Sequence, residues 1–121
     1  MRLRHIPGSE AAVENHPKTI REPEKYKGKW NELFGNENPI EIEIGMGKGQ
    51  FLFTTAGRHP DINYVGIEMY PSVMLKAQRK YDRGDCGQPE NIYLVCGNAQ
   101  DVTDWFAPGE IRRIYLNFSD P

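Results

Sequence analysis

"EIEIGMGKGQF", residues 41–51, is an apolar alternation that runs into three glycines spaced two apart. Together with Ile40 it predicts a strand, with Ile40, Ile42 and Ile44 on one face and Glu41 and Glu43 on the other. Gly45, Gly47 and Gly49 then make a turn. The following "KGQFLFTTAGRH" (48–59) predicts a helix whose buried face comes from Phe51, Leu52 and Phe53. A strand, a glycine turn and a helix make the opening unit of an α/β sheet.

The same rhythm continues downstream. "INYVGIE" (62–68) predicts a second strand, and "PSVMLKAQRKYDRG" (71–84) a helix. Pro71 lies in its first turn, where a missing N–H costs nothing, and Gly84 is placed to stop it. Val73, Ala77 and Tyr81 fall on one stripe. "CGQPEN" (86–91) is a loop, "IYLVCG" (92–97) a third strand, "AQDVTDWF" (99–106) a short helix or turn, and "RRIYLNF" (112–118) a fourth strand. Strands alternating with helices pair in parallel through right-handed crossovers, so the expected fold is a doubly wound α/β sheet. Upstream, residues 1 to about 23 lack sustained periodicity and contain Pro7, Pro17 and Pro23, which predicts an irregular arm. "EKYKGKWNELFG" (24–35) offers a short helix, weakened by Gly28.

A chain of 121 residues suggests one domain, and two Trp, six Tyr and five Phe can supply a core. No apolar run approaches the roughly 18 residues of a membrane span, and no signal peptide is visible, so the expected compartment is the cytoplasm. Cys86 and Cys96 form no Cys-x-x-Cys pattern and are read as free thiols. His5, His16 and His59 have no metal-ligand spacing, and no metal is expected. The net charge is −2, which by itself argues against a nucleic-acid partner. It is uneven, however: residues 1–30 hold seven Lys/Arg against four acids, and the remainder holds eight against thirteen. The first thirty residues thus read as a basic arm, either phosphate-seeking or simply solvated.

In a doubly wound sheet, ligands bind beyond the carboxyl ends of the strands. The first strand end carries Gly45, Gly47 and Gly49, which free the backbone for positive φ and for close approach of a ligand. The spacing excludes a Walker loop, because Lys48 is followed by Gly49. It also excludes the dinucleotide Gly-x-Gly-x-x-Gly, because Gln50 stands at the third position. The motif is Glu-x-Gly-x-Gly-x-Gly, from Glu43 to Gly49. A pyrophosphate disfavours a carboxylate beside its loop. S-adenosylmethionine carries an ammonium and no phosphate, so Glu43 suits it; the alternative is an ordinary charged strand end. A parallel sheet's centre is normally apolar on both faces, which weakens that alternative. Glu41 raises the same question without an assigned role. Glu68 follows the second strand, 23 residues beyond Gly45, where an acid can accept both ribose hydroxyls of an adenosine. Asn98 and Ala99 follow the third strand. A side-chain oxygen and a backbone N–H there can read an adenine, or Asn98 can be a plain turn residue. Tyr70 can lie against the adenine or pack on the helix start. Asp120, in "NFSDP", falls at the fourth strand end, over the reactive end of such a cofactor.

Along most of its length the sequence resembles the bacterial tRNA (guanine-N7-)-methyltransferases. The matching stretches are "MRLRH", "YKGKWNELFGN", "EIGMGKGQF", "DINYVGIE" and above all "IYLNFSDP". The resemblance implies a class I methyltransferase (Rossmann-like) fold, S-adenosylmethionine as methyl donor, and a guanine of the tRNA variable region as acceptor. It implies cofactor contacts from Glu43, Glu68, Asn98 and Asp120, with Asp120 also the catalytic candidate. Asn98 departs from the Asp of many relatives, keeping the acceptor oxygen without the charge. Arg2 and Arg4 become candidates for phosphate contacts. In the family "NFSDP" runs on into a Trp-Pro-Lys stretch and further elements, whereas this sequence stops at Pro121. Residues 31–121 are therefore expected to be the amino-terminal half of the methyltransferase domain, inactive alone. The fourth strand is expected at an open edge that invites self-association. Three alternatives remain at this stage: a nicotinamide-dinucleotide-binding domain, a non-catalytic cofactor-binding fragment, and a methyltransferase acting on another substrate.

Overall fold

A computed structural model describes residues 6–117. Four parallel strands form one sheet in the order β3-β2-β1-β4: β1 is Ile40–Ile44, β2 Asn63–Glu68, β3 Ile92–Cys96 and β4 Arg113–Leu116. Helices α1 (Ser9–Glu14), α2 (Trp30–Phe34), α3 (Gln50–Arg58), α4 (Pro71–Arg83) and α5 (Val102–Trp105) complete the chain, with 3-10 turns at Pro23–Tyr26 and Ala99–Asp101. The chain steps outward from β1 to β2 to β3, then returns to the other side of β1 for β4. The order reverses at β1, and the glycine turn leaves β1 there. That is the position where a doubly wound sheet opens a crevice for ligands.

The sheet separates two cores. On one face, Leu52, Phe53 and Ala56 of α3 and Met74, Leu75, Ala77 and Tyr81 of α4 pack on Tyr64, Ile92 and Leu94. On the other, Trp30, Trp105 and Phe106 cover Ile40, Ile42, Val65, Ile67 and Val95. The isoleucines of β1 therefore face the α2/α5 side, and Glu41 and Glu43 face the α3/α4 side. Gly84 closes α4 at φ +74°, as its position predicts. Two details of the predicted helices shift. Phe51 is not on the buried face of α3 but 40% exposed, its ring 5.1 Å from that of Tyr115. In α4 the buried stripe runs through Met74 and Gln78 beside Ala77 and Tyr81, with Val73 only half-buried.

The segment predicted as an irregular arm is, from residue 6 onward, a clip around the sheet. Helix α1 packs on α4, with Val13 only 2% exposed. Residues 18–20 then run along the outer edge of β3. Ile20 N–H donates to the Leu94 carbonyl at 2.8 Å, and Leu94 N–H donates to the Lys18 carbonyl at 2.9 Å. The chain crosses to the opposite face, where the Trp30 indole N–H donates to the Trp105 carbonyl at 2.8 Å and its ring stacks on Phe106 at 4.7 Å. The helix expected over 24–35 is two pieces, separated near Gly28 at φ +78°. The clip pairs the Leu94 backbone in the middle of the β3 edge and so guards that edge against stray pairing. The outer edge of β4 has no partner strand among the described residues, and Ile114 and Leu116 there are half-exposed.

Candidate functional site

The three glycines all adopt positive φ, +74° at Gly45, +59° at Gly47 and +83° at Gly49, a region other L-residues rarely enter. The turn is pinned from beneath. Gly45 and Met46 N–H groups both donate to the Ile67 carbonyl, at 2.9 and 3.0 Å. Met46 is buried over Gly66, where an added Cβ would lie 2.5 Å from the Met46 sulfur and 2.5 Å from Leu52. A side chain at position 66 would push on the Met46 and Leu52 side chains beneath the turn.

Glu68 is 7% exposed, and its carboxylate spans two strand ends. Gly47 N–H donates to Oε1 at 3.0 Å, and Tyr70 N–H donates to Oε2 at 3.0 Å. Each oxygen keeps a lone pair, so Glu68 both braces the turn and can accept further donors. Glu43 is 2% exposed. Asn117 Nδ2 donates to its Oε2 at 3.0 Å, whereas Oε1 is buried with no hydrogen-bond partner among the described residues. Burial pushes this carboxyl up to about 7, against the Asn117 hydrogen bond; the Glu68 charge adds to the rise. A buried oxygen without a donor, beside a turn of open backbone, can accept from a cation or N–H group.

Glu41, for which the sequence offers no role, is a brace between strands. It is 1% exposed, and Arg112 donates to its Oε2 through Nε at 3.0 Å and Nη2 at 2.6 Å. Tyr115 O–H donates to Oε1 at 2.9 Å. This arrangement ties β4 to β1 and fixes the register that sets Glu43 opposite Tyr115.

Asn98 is exposed at the end of β3, where its side-chain oxygen accepts from Gln100 N–H at 2.9 Å and caps the 3-10 turn beginning at Ala99. Next to it, Gly97 N–H donates to the Glu68 carbonyl at 3.1 Å, which ties the ends of β2 and β3 together. Met69 and Tyr70 leave the end of β2 with half-exposed side chains, at 47% and 44%. Tyr70 was singled out in the sequence and Met69 was not. Glu43, the three glycines, Glu68, Asn98 and Ala99 thus share the carboxyl edge of the sheet. Arg2, Arg4 and Asp120 lie outside the described residues. Asn117 is the polar contact that sequence reasoning missed, although it stands inside the quoted "IYLNFSDP".

Both cysteines are free thiols, and burial raises Cys96 to about 11, leaving it an unreactive thiol near neutrality. No helix among the described residues is long and apolar enough to cross a membrane, and no three His, Cys, Asp or Glu residues among them gather to hold a metal. A cleft of about 460 Å³ opens at the opposite, amino-terminal edge of the sheet between Phe34, Pro60, Asn63 and Asn91. Only Glu90 in its lining is ionisable, and it is remote from the strand ends that carry the carboxylates.

Comparison with known proteins agrees with this geometry. A family model described as "Putative methyltransferase" matches residues 37–121. A tRNA (guanine-N(7)-)-methyltransferase of Lachnoclostridium phytofermentans is 52% identical over 121 residues, 100% of this chain and 55% of the relative. The protein of the same name from Bacillus subtilis is 48% identical over 122 residues, 100% of this chain and 56% of the relative. The chain thus spans about half the length of the curated relatives it matches. The solved structure of an antibiotic-related methyltransferase superimposes with a TM-score of 0.60 at 18% identity, over 78% of this chain and 47% of the other, a likeness of fold. With most of its length matched by that model, the chain belongs to this methyltransferase family.

Proposed function

We propose that this chain carries the S-adenosylmethionine-binding part of an enzyme that methylates N7 of a guanine in the variable region of tRNA, with residues 31–121 as the cofactor-binding unit. The observation that carries the reading is the buried Glu43 oxygen left without a donor among the described residues, beside the glycine turn. The donor set fits the cofactor. Glu43 would hold its ammonium, and Glu68 would receive the ribose hydroxyls on its remaining lone pairs. The three glycines leave the main chain open to close approach, and Asn98 and Ala99 stand where the adenine edge would be read. When bound, S-adenosylmethionine supplies an electrophilic methyl group on a sulfonium. The names of the relatives supply the substrate class.

Guanine N7 carries an in-plane lone pair and no proton, so the residues around it need not include a base. Their task is to hold the ring in line and to offset the positive charge that grows on it. Asp120, three residues beyond Asn117, is assigned that role, and Arg2 and Arg4 are assigned phosphate contacts. A pyrophosphate fits the turn poorly, because the Glu43 carboxylate would face it; Glu68 does not discriminate, since the ribose of a dinucleotide takes an acid at the same place.

Calorimetry on the 121-residue chain tests the reading, with S-adenosylhomocysteine and NAD as ligands and Glu68→Ala as control. Binding of the homocysteine form, lost in the variant, together with failure of NAD, is the expected result. Binding of NAD in preference would overturn it, and so would failure of both.

A further inference from the structure

We propose that Asn117 is a positioning residue for the cofactor: its carboxamide on the β4 side holds Glu43 with one oxygen turned free, so that the carboxylate can take an ammonium. The inference rests on the reading of Glu43 given above and extends it to a residue outside the motif.

Three observations carry it. First, the contact is directional. Asn117 Nδ2 donates to Glu43 Oε2 at 3.0 Å, and that is the partner that fixes the rotation of the carboxyl plane and leaves Oε1 open. Second, the contact depends on strand register, and the register is braced. Ile44 pairs with Leu116, so Asn117 falls beside Gly45, its carbonyl 3.6 Å from where a Cβ on Gly45 would stand. The buried Glu41, gripped by Arg112 and Tyr115, holds β4 in that register two residues away. Third, no cation pairs with Glu43 among the described residues. The groups around it are Glu68 at the end of β2, the neutral Tyr115 phenol on β4, and Glu41 on its own strand, already paired with Arg112. Among the described residues, only the Asn117 hydrogen bond favours the ionised form of Glu43, against burial and the Glu68 charge. A neutral donor does this without competing for the cation, as an Arg or Lys at position 117 would.

The test pairs a ligand-free measurement with a binding measurement on wild-type protein and on Asn117→Ala and Asn117→Asp. Carbon-detected NMR follows the Glu43 carboxyl through pH 5–9, with Glu43→Gln to assign its signal. Calorimetry follows S-adenosylhomocysteine affinity between pH 6 and 8. The expected result is a Glu43 midpoint about one pH unit higher in Asn117→Ala and higher again in Asn117→Asp. Affinity at pH 7 falls on the order of tenfold in Asn117→Ala and recovers part of the loss by pH 8. A merely structural residue would weaken binding equally at every pH and leave the midpoint unmoved, and either outcome would overturn the proposal. If the midpoint moves but wild-type protein binds no S-adenosylhomocysteine at any pH, the cofactor reading fails and this role fails with it. If wild-type binding is tight and the midpoint stays fixed in Asn117→Ala, the positioning role alone is refuted.

Discussion

Replacing Glu43 by Gln should make the protein more stable at pH 8 and not at pH 4.5. The carboxyl moves from its ordinary 4.5 to about 7 in the fold, because burial penalises its charge more than Asn117 compensates. Between those two pH values the native state holds a proton that the unfolded chain has released. The native state therefore binds more protons, and stability falls as pH rises through that window. At about 1.36 kcal/mol per pH unit, the full loss is about 3 kcal/mol, complete above pH 7. Gln has the shape of the protonated acid and cannot ionise, so it removes this slope. Equilibrium urea unfolding at pH 5, 6, 7 and 8 measures the effect, with unchanged m-values as the sign that the denatured state is unaltered. Other carboxylates impose slopes of their own, but these cancel in the difference between variant and wild type. That difference should grow from near zero at pH 5 to about 2–3 kcal/mol at pH 8, while S-adenosylhomocysteine binding is lost. A difference that is flat with pH, or a variant less stable at pH 8, would show that Glu43 is not buried in a low-dielectric site without a counter-ion.

Gly66→Ala should cost about 1–3 kcal/mol, because the added methyl meets buried Met46 and Leu52. It should also weaken S-adenosylhomocysteine binding by displacing the turn, and unaltered affinity in calorimetry would break that link. Trp30→Phe removes the indole donor from the Trp105 carbonyl and thins the stack on Phe106. It should lower the urea midpoint by the equivalent of about 2–3 kcal/mol, whereas a change under about 0.5 kcal/mol would mean that the amino-terminal clip does not anchor there. In an enzyme extended to the relatives' full length, Asp120→Ala should reduce single-turnover methyl transfer to tRNA at least tenfold with cofactor affinity less affected; normal turnover would remove Asp120 from the chemistry.

The strand-helix rhythm from residue 40 onward was legible because it rests on local period and on Gly and Pro punctuation. Even there, an available signal was overlooked at Phe51. Leu52, Phe53 and Ala56 already share one face of a 3.6-residue helix, which turns Phe51 outward. The amino-terminal clip was not legible. Its helix is six residues long, and its anchors Val13 and Ile20 stand apart without a sustained apolar period. Its attachment to β3 is made by backbone groups that leave no trace in residue type. The site divides in the same way. Glycine spacing and the two acids could be read along the chain. The contacts that set their chemistry span 71 residues from Glu41 to Arg112 and 74 from Glu43 to Asn117. Such pairs exist only once β4 has returned beside β1.

Glu41 and Glu43 make the functional argument within a single strand. They share one face, two residues apart, and both are buried. An apolar side chain would be the cheaper choice at either position, so each carboxylate needs a reason. For Glu41 the reason is internal. A guanidinium and a phenol occupy both of its oxygens, and the result is a strand brace. For Glu43 the described residues supply one carboxamide, leaving an oxygen unsatisfied and no cation paired with it among them. The residues around Glu41 show that this sheet can carry a full partner set for a buried acid. That Glu43 lacks one among the described residues, at the switch point where the glycine turn opens the backbone, is the gap that the proposed ammonium contact would fill.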